Sequence, residues 1–339
     1  ISRIIDNNLI ANQFKKLADS YEYRPDLIMA SIPNSELALE AAKYCKNKKI
    51  PFVLDIRDLW PDIFIEVIPK GFHFLFNGLK IFFTYKLRKS AKFANSITGI
   101  TDYFVDWGLN HARRVKSSYD KTFPLGYYPI KLKEDEYNEG MNFWNGLGLE
   151  KEYFTICYFG SLGKVYDFTS IIEAARLLDH NGSQIRFVIC GSGNQLNSLR
   201  KASEEINNLI VPGWVYKFQI LTLLELSNIG IAPYQPIDSY INTISNKAAE
   251  YLYGKLPIAL SLSKGLLYEK LIEYDAGIFY NKNSSILAEQ IYRLSSDSSR
   301  YKQLSKNAYN FFTTELQGSK IYKEFTEHLL RVSEDFSLI

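Results

Sequence analysis

Apolar residues recur along the chain in two alternating rhythms. Short continuous runs such as Ile50-Pro51-Phe52-Val53-Leu54 have the length of buried strands, and the stretches between them show the three- and four-residue spacing of one helix face. In the first 130 residues the pattern predicts strands over 26–31, 50–55 and 96–100 and helices over 34–47 and 72–93. The stretch KLKEDEYNEGMNFWNGLGLEKEY is rich in charge, Gly and Asn, so residues 131–150 read as an interdomain connection. Beyond it the strands TICYF, IRFVIC, LIV, IGIAPY, LPIALSL and GIFY alternate with the helices FTSIIEAARLL, QLNSLRKASEEI, FQILTLLELS, NKAAEYLY and LLYEKLIEYD. Such alternation specifies parallel sheets covered on both faces. The expected class is α/β, with a doubly wound domain over 151–316, a first domain over 1–130 and a C-terminal helix over 317–339 that returns to the first domain. The first domain has fewer strands than the second, so one or two βαβ units are expected upstream of Ile1.

Composition narrows the class. A chain of 339 residues suits two cores rather than one, and 46% hydrophobic with 23% charged residues is the balance of a folded globular protein. The net charge of +3 is too mild to imply a nucleic-acid partner. Cys45, Cys157 and Cys190 are odd in number and sit in apolar runs, which favours buried free thiols in a reducing cytoplasm. His73, His111, His180 and His328 show no metal-ligand spacing, so neither a metal nor a cofactor is expected.

Four stretches carry candidate chemistry. DIRDLWPD places Arg57, Asp58 and Trp60 at the carboxyl end of a buried strand, where open α/β sheets bind ligands; the competing reading is a turn capped by Asp58 with Trp60 packed on the sheet edge. YFGSLGK sets Gly160, Ser161, Gly163 and Lys164 between a strand and a helix, either an anion-binding loop or a plain tight turn. CGSGNQL adds Gly191, Ser192 and Gly193, without the third glycine or the following acid of a nicotinamide site. In NTISNKAAEYLYGK, Ser245 or Asn246 suits the N-cap of a short helix that carries Lys247 in its first turn and Glu250 on the same face. A cation there opposes the helix dipole and calls for an external anion, with Glu250 accepting from sugar hydroxyls; the alternative is a simple Lys–Glu pair. Separately, residues 70–93 are basic and aromatic, as in a helix lying on an anionic membrane surface, or equally a helix packing its aromatic face on the sheet.

Taken in order, the elements PFVLDIRDLWPD, FPLGY, YFGSLGK, CGSGNQLNSL, NLIVPGWV, SNIGIAPY and SNKAAEYLYGKLPI resemble glycosyltransferase family 4, and its bacterial surface-polysaccharide branch in particular. The resemblance implies a GT-B fold, two Rossmann-like domains facing a cleft. It implies a retaining, metal-independent hexosyl- or N-acetylhexosaminyltransferase working from a UDP- or dTDP-linked sugar onto a glycan or polyprenyl-linked acceptor, in the cytoplasm at the inner face of the cell membrane. Trp214 and Val215 join the donor-binding residues on this basis, and Arg57, Asp58, Lys164 and Lys247 are the expected catalytic set. Where the family usually carries a pair of glutamates spaced E-x7-E, the first is Asn242 here and the second Glu250; its usual Arg and Lys are Ser161 and Tyr166; a frequent histidine is Arg57. The family also begins with a strand and a Gly-rich loop, which leads to the expectation of an N-terminally truncated chain. A nucleotide-sugar epimerase of the same fold and a non-catalytic transferase-like binding subunit are the alternatives.

Overall fold

The computed structural model describes residues 2–62, 84–180 and 183–337. The chain forms two compact units, Ile1–Leu125 with Ser319–Ile339, and Gly126–Gly318. The first unit carries a parallel sheet in the order β1 (Ile28–Ile32), β2 (Phe52–Ile56), β3 (Ser96–Gly99), β4 (Lys121–Thr122). Every residue of the central strand β2 is buried, which is why its apolar run does not alternate. Helix Ser35–Lys48 is capped by Asn34, whose Oδ1 accepts from Leu37 N at 3.0 Å, and it buries Ala38, Ala41, Ala42 and Cys45 at helical spacing. Gly108 brings helix Asp102–Ala112 onto the sheet; a Cβ there would lie 2.8 Å from Ile97 and 3.1 Å from Ile56.

Most of the basic, aromatic 70–93 stretch lies outside the described residues. Its last part, 84–93, is helical, with Leu87 and Ala91 fully buried in the first unit's core and Arg88, Lys89 and Lys92 exposed. Lys86 reaches Glu36 Oε1 at 3.1 Å, so it is engaged within the unit.

The second unit holds a six-stranded parallel sheet in the order β10-β9-β8-β5-β6-β7, from β5 (Phe154–Ser161), β6 (Ile185–Ser192), β7 (Leu209–Gly213), β8 (Ile229–Ala232), β9 (Ile258–Leu260) and β10 (Gly277–Phe279). Side chains alternate along β5 between two cores: Ile156 and Tyr158 face one, Cys157 and Phe159 the other. The strand positions expected from the apolar runs coincide with these to within a few residues.

One expectation fails here. Residues 131–150 are mostly helix, Glu134–Gly146, belonging to the second unit. Trp144 is fully buried, donates from Nε1 to Gln219 O at 2.9 Å and packs against helix Lys217–Leu226; a Cβ on Gly140 would lie 2.5 Å from Thr222 Oγ1. The charges that suggested a connection occupy the helix's outer face.

The C-terminal helix Gly318–Ser337 supplies Phe325, which stacks on Phe123 at 4.6 Å, and His328, which shares a 3.1 Å hydrogen bond between Nε2 and Ser96 Oγ. Burial, and then the charges of Lys121 and Arg331, lower the His328 pKa from 6.5 to about 4. Because the folded value is the lower one, its stabilising contribution is complete above pH 6.5 and is lost as the pH falls towards 4. The stability advantage of wild type over His328→Gln should therefore shrink by up to about 3 kcal/mol between pH 7 and pH 4, measured by urea unfolding at each pH. A pH-independent difference would mean that His328 does not titrate in this way.

Candidate functional site

The site grows from the carboxyl ends of β5 and β6, where Gly160 pairs with Gly191 and Ser161 with Ser192 in register. Gly191 has φ +142°, and a Cβ on it would lie 1.7 Å from Gly160 O; Gly193 has φ +154°, with a Cβ 2.6 Å from Leu162 O. No other residue fits either place. The two loops are then knitted into one: Leu162 N donates to Ser192 O at 2.9 Å, Gln195 N to Leu162 O at 3.1 Å and Gln195 Nε2 to Gly163 O at 2.6 Å. Gly160, Ser161, Ser192 and Gly193 face solvent above this floor, and Lys164 is exposed beside them. Helix Leu196–Glu205 starts directly behind the second loop with neither a side-chain cap nor an acid in its first turn. Gln195 N and Leu196 N are taken by Leu162 O and Gly193 O, so the amides of Asn197 and Ser198 are the ones left for an anion.

A third element completes the floor. Helix Asn246–Tyr253 is capped by Ser245, whose Oγ accepts from Ala248 N at 3.2 Å and lies 2.6 Å from the Tyr234 hydroxyl; Asn246 is exposed. Lys247, in its first turn, runs under the glycine loop: a Cβ built on Gly160 would lie 3.1 Å from its Nζ. The residue as a whole is half-buried, but Nζ has essentially no accessible surface and no hydrogen-bond partner. It sits 3.7 Å from the centre of the Tyr158 ring and 4.9 Å from that of Tyr166. Burial, offset in part by Glu250 and Cys157, lowers its pKa from 10.5 to about 7.

Glu250 does not pair with Lys247. It accepts from Lys217 Nζ at 2.5 Å, and the same Nζ lies 5.3 Å from the centre of the Tyr127 ring. The expected alternative, a Lys247–Glu250 pair, is therefore replaced by a Lys217–Glu250 pair. Asn242 donates from Nδ2 to Asp238 O at 2.9 Å and finishes the short helix Asp238–Ile241. Trp214 and Val215 follow β7, which pairs with β6; Trp214 is 62% exposed and meets Tyr216 edge-on at 4.5 Å, whereas Val215 is buried.

Arg57, Asp58 and Trp60 belong to the first unit. Arg57 Nε donates to Asp55 Oδ2 at 2.5 Å, and Asp55 also accepts from Ser31 Oγ at 3.1 Å and Thr98 Oγ1 at 2.9 Å. Trp60 packs against the first unit's core.

Sequence reasoning did not single out Tyr158, Lys217 or Tyr127, and saw Tyr166 only as a departure. A tyrosine inside TICYF reads as core, and nothing local reveals that its ring meets a lysine 89 positions later. All three cysteines are free and buried, and burial pushes the Cys45 and Cys157 thiols up to about 12, so neither is a nucleophile at neutral pH. Among the described residues no group of three His, Cys, Asp or Glu could hold a metal ion.

Two parallel-sheet units of this construction match the GT-B architecture of two Rossmann-like domains, the fold of the solved structures named below. Residues 144–311 match the family model "Glycosyl transferases group 1", so the chain carries a glycosyltransferase group 1 domain. Among solved structures the fold is similar to that of HepE (Alr3699) from Anabaena in complex with UDP, with a TM-score of 0.67 and 14% identity over 95% of this chain and 82% of that one. It is similar to a sucrose-phosphate synthase from Thermosynechococcus elongatus, with a TM-score of 0.65 and 13% identity over 95% and 77%. A glycosyltransferase from Rickettsia africae matches with a TM-score of 0.64 and 14% identity over 97% and 81%. No curated protein matches the chain in sequence.

The clearest structural test of the floor is Gly191→Ala. The added methyl meets the Gly160 carbonyl and the backbone sits at positive φ, so the variant should lose at least about 2 kcal/mol of stability in urea unfolding. Unchanged stability would show that the two loops are not packed as described.

Proposed function

We propose that the chain is a retaining glycosyltransferase that binds a UDP- or dTDP-linked hexose or N-acetylhexosamine at the glycine-loop floor of its second unit. It passes the sugar to a glycan acceptor, lipid-linked, in bacterial surface-polysaccharide synthesis. The observation that carries the reading is Lys247: a buried ammonium without a hydrogen-bond partner, placed under two interlocked glycine loops in a group 1 glycosyltransferase domain. An unpaired buried cation is costly unless an anion completes it, and a diphosphate is the anion such domains handle. HepE, which shares the fold, was solved with UDP and with UDP-glucose, which supports the same class of donor here.

In this reading the backbone amides of the loops and the N-terminus of helix Leu196–Glu205 receive the phosphates, Lys247 neutralises the departing diphosphate, and exposed Lys164 adds a weaker, screened charge. Glu250, held by Lys217, accepts from the ribose hydroxyls, and Trp214 with Val215 borders the base. The acceptor hydroxyl loses its proton to the leaving diphosphate on the same face, so no side-chain base is needed. Arg57, oriented by Asp55, is the cation offered to an acceptor phosphate, with Asp58 and Trp60 beside it. Activity should persist in EDTA. Arg88, Lys89 and Lys92 on the exposed side of helix 84–93, with the rest of 70–93, would hold the chain to an anionic membrane.

Lys247→Met should weaken UDP binding about 10- to 150-fold in calorimetric titration, as expected for losing a charge-assisted hydrogen bond, while leaving the melting temperature equal or higher because a dry ammonium has been removed. Unchanged affinity, or a fall in melting temperature, would assign Lys247 to the core. Vesicle flotation addresses the membrane: recovery with anionic vesicles should fall when Arg88, Lys89 and Lys92 are changed together to Glu, each charge being worth about 1 kcal/mol. Recovery indifferent to lipid charge removes that part of the proposal.

A further inference from the structure

We propose that Tyr158 and Tyr166 form an aromatic cage that positions the Lys247 ammonium against the phosphates of a bound nucleoside diphosphate, making Tyr166 a positioning residue for donor binding. The inference rests on the reading of the glycine loops as the donor site. Two rings approach one Nζ, at 3.7 Å and 4.9 Å from their centres, and both are fixed from behind. The Tyr158 hydroxyl donates to Ser161 O at 2.6 Å, tying the ring to the loop it supports. Tyr166 lies in a loop strapped to the chain after β8, through Asp167 N to Pro233 O at 2.7 Å and Gln235 N to Val165 O at 3.2 Å, and its ring leans on Tyr240 at 5.7 Å.

The choice of rings over a carboxylate follows from what must bind. A carboxylate beside Lys247 would hold the ammonium more tightly, yet it would cancel the charge and repel an incoming diphosphate. An aromatic face attracts a cation through its quadrupole and carries no net charge, so the ammonium keeps its full field for the ligand. The titratable groups that act on Nζ agree with this division: the rings of Tyr158 and Tyr166 lie against it, the Cys157 thiol of β5 is neutral at this pH, and the carboxylate of Glu250 on its own helix is taken by Lys217. Burial lowers the Lys247 pKa to about 7, so near neutral pH the side chain is only partly protonated. A diphosphate favours the charged form, so binding above that pH takes up a proton.

The test is calorimetric titration of the whole chain with UDP from pH 7.5 to 9, a range above the terminal phosphate's own titration near pH 6. Wild-type affinity should fall several-fold across this range, by no more than about tenfold per pH unit, and the heat should vary with the ionisation heat of the buffer, reporting proton uptake. Tyr166→Phe, which keeps the ring, should bind within about twofold of wild type. Tyr166→Leu should bind about 10- to 30-fold more weakly, with the fall in affinity beginning at lower pH. In the Lys247→Met background the same Leu substitution should have no further effect and the profile should be flat. A Tyr166→Leu loss that persists without Lys247, or an unmoved pH profile, overturns the cage while leaving the donor site standing. Failure of the wild type to bind UDP or thymidine diphosphate at any pH overturns the donor reading and the cage with it.

Discussion

The approach of Gly160 to Gly191 is the contact on which the rest of the second unit's site depends. Two parallel strands continue hydrogen-bonded pairing to their last residues, and there the carbonyl of one occupies the space that any side chain on the other would need. The consequence is a surface made of backbone, open to solvent, with the Lys247 ammonium close against Gly160. A bulkier pair of strand ends would hold the loops apart, and the bonds from Leu162 and Gln195 that lock them together would have no reach. Main-chain geometry thus sets the anion-sized surface, and side-chain chemistry only charges it.

That charging is economical. The loop surface carries Lys164 in water and Lys247 out of it, and the two are not equivalent. In high dielectric a unit charge at about 4 Å from an anion is worth roughly 1 kcal/mol, whereas in a partly dry protein site the same geometry is worth several times more. Ser161 and Tyr166 bring no cation of their own. Under the proposed function one buried ammonium does the neutralising, at the cost of a pKa near 7 and of tyrosines that must stay in place around it.

Much of this was legible in advance, and the boundary of legibility is physical. Strand runs and glycine loops are local signals, set by burial on both faces and by positive φ, so they stand in the sequence where they stand in the structure. Ser245, Lys247 and Glu250 were legible as one turn of a short helix because caps and same-face spacing are also local. Partners across elements were not. Lys217 and Glu250 are 33 positions apart, and which lysine meets which glutamate depends on how two helices pack on one sheet. Helix Glu134–Gly146 was missed for a related reason: its outer face carries the composition of a linker, and a single buried tryptophan on the other face anchors it.

Arg57 shows the opposite solution to that of Lys247 for presenting a cation. Asp55, almost fully buried on the central strand, accepts from Ser31, Thr98 and Arg57 together, so its carboxylate is fully occupied by the first unit's own groups. Only Nε of the guanidinium is used in that pair, which orients the fork while sharing its charge with a fixed acid. A cation neutralised in advance attracts a phosphate less strongly than an unpaired one, but its burial is already offset by a fixed acid. The proposed division of labour follows from that contrast. An acceptor phosphate that must be bound and released unchanged suits the neutralised arginine, while a diphosphate whose charge grows as the sugar departs suits an ammonium that no acid in its own unit already holds.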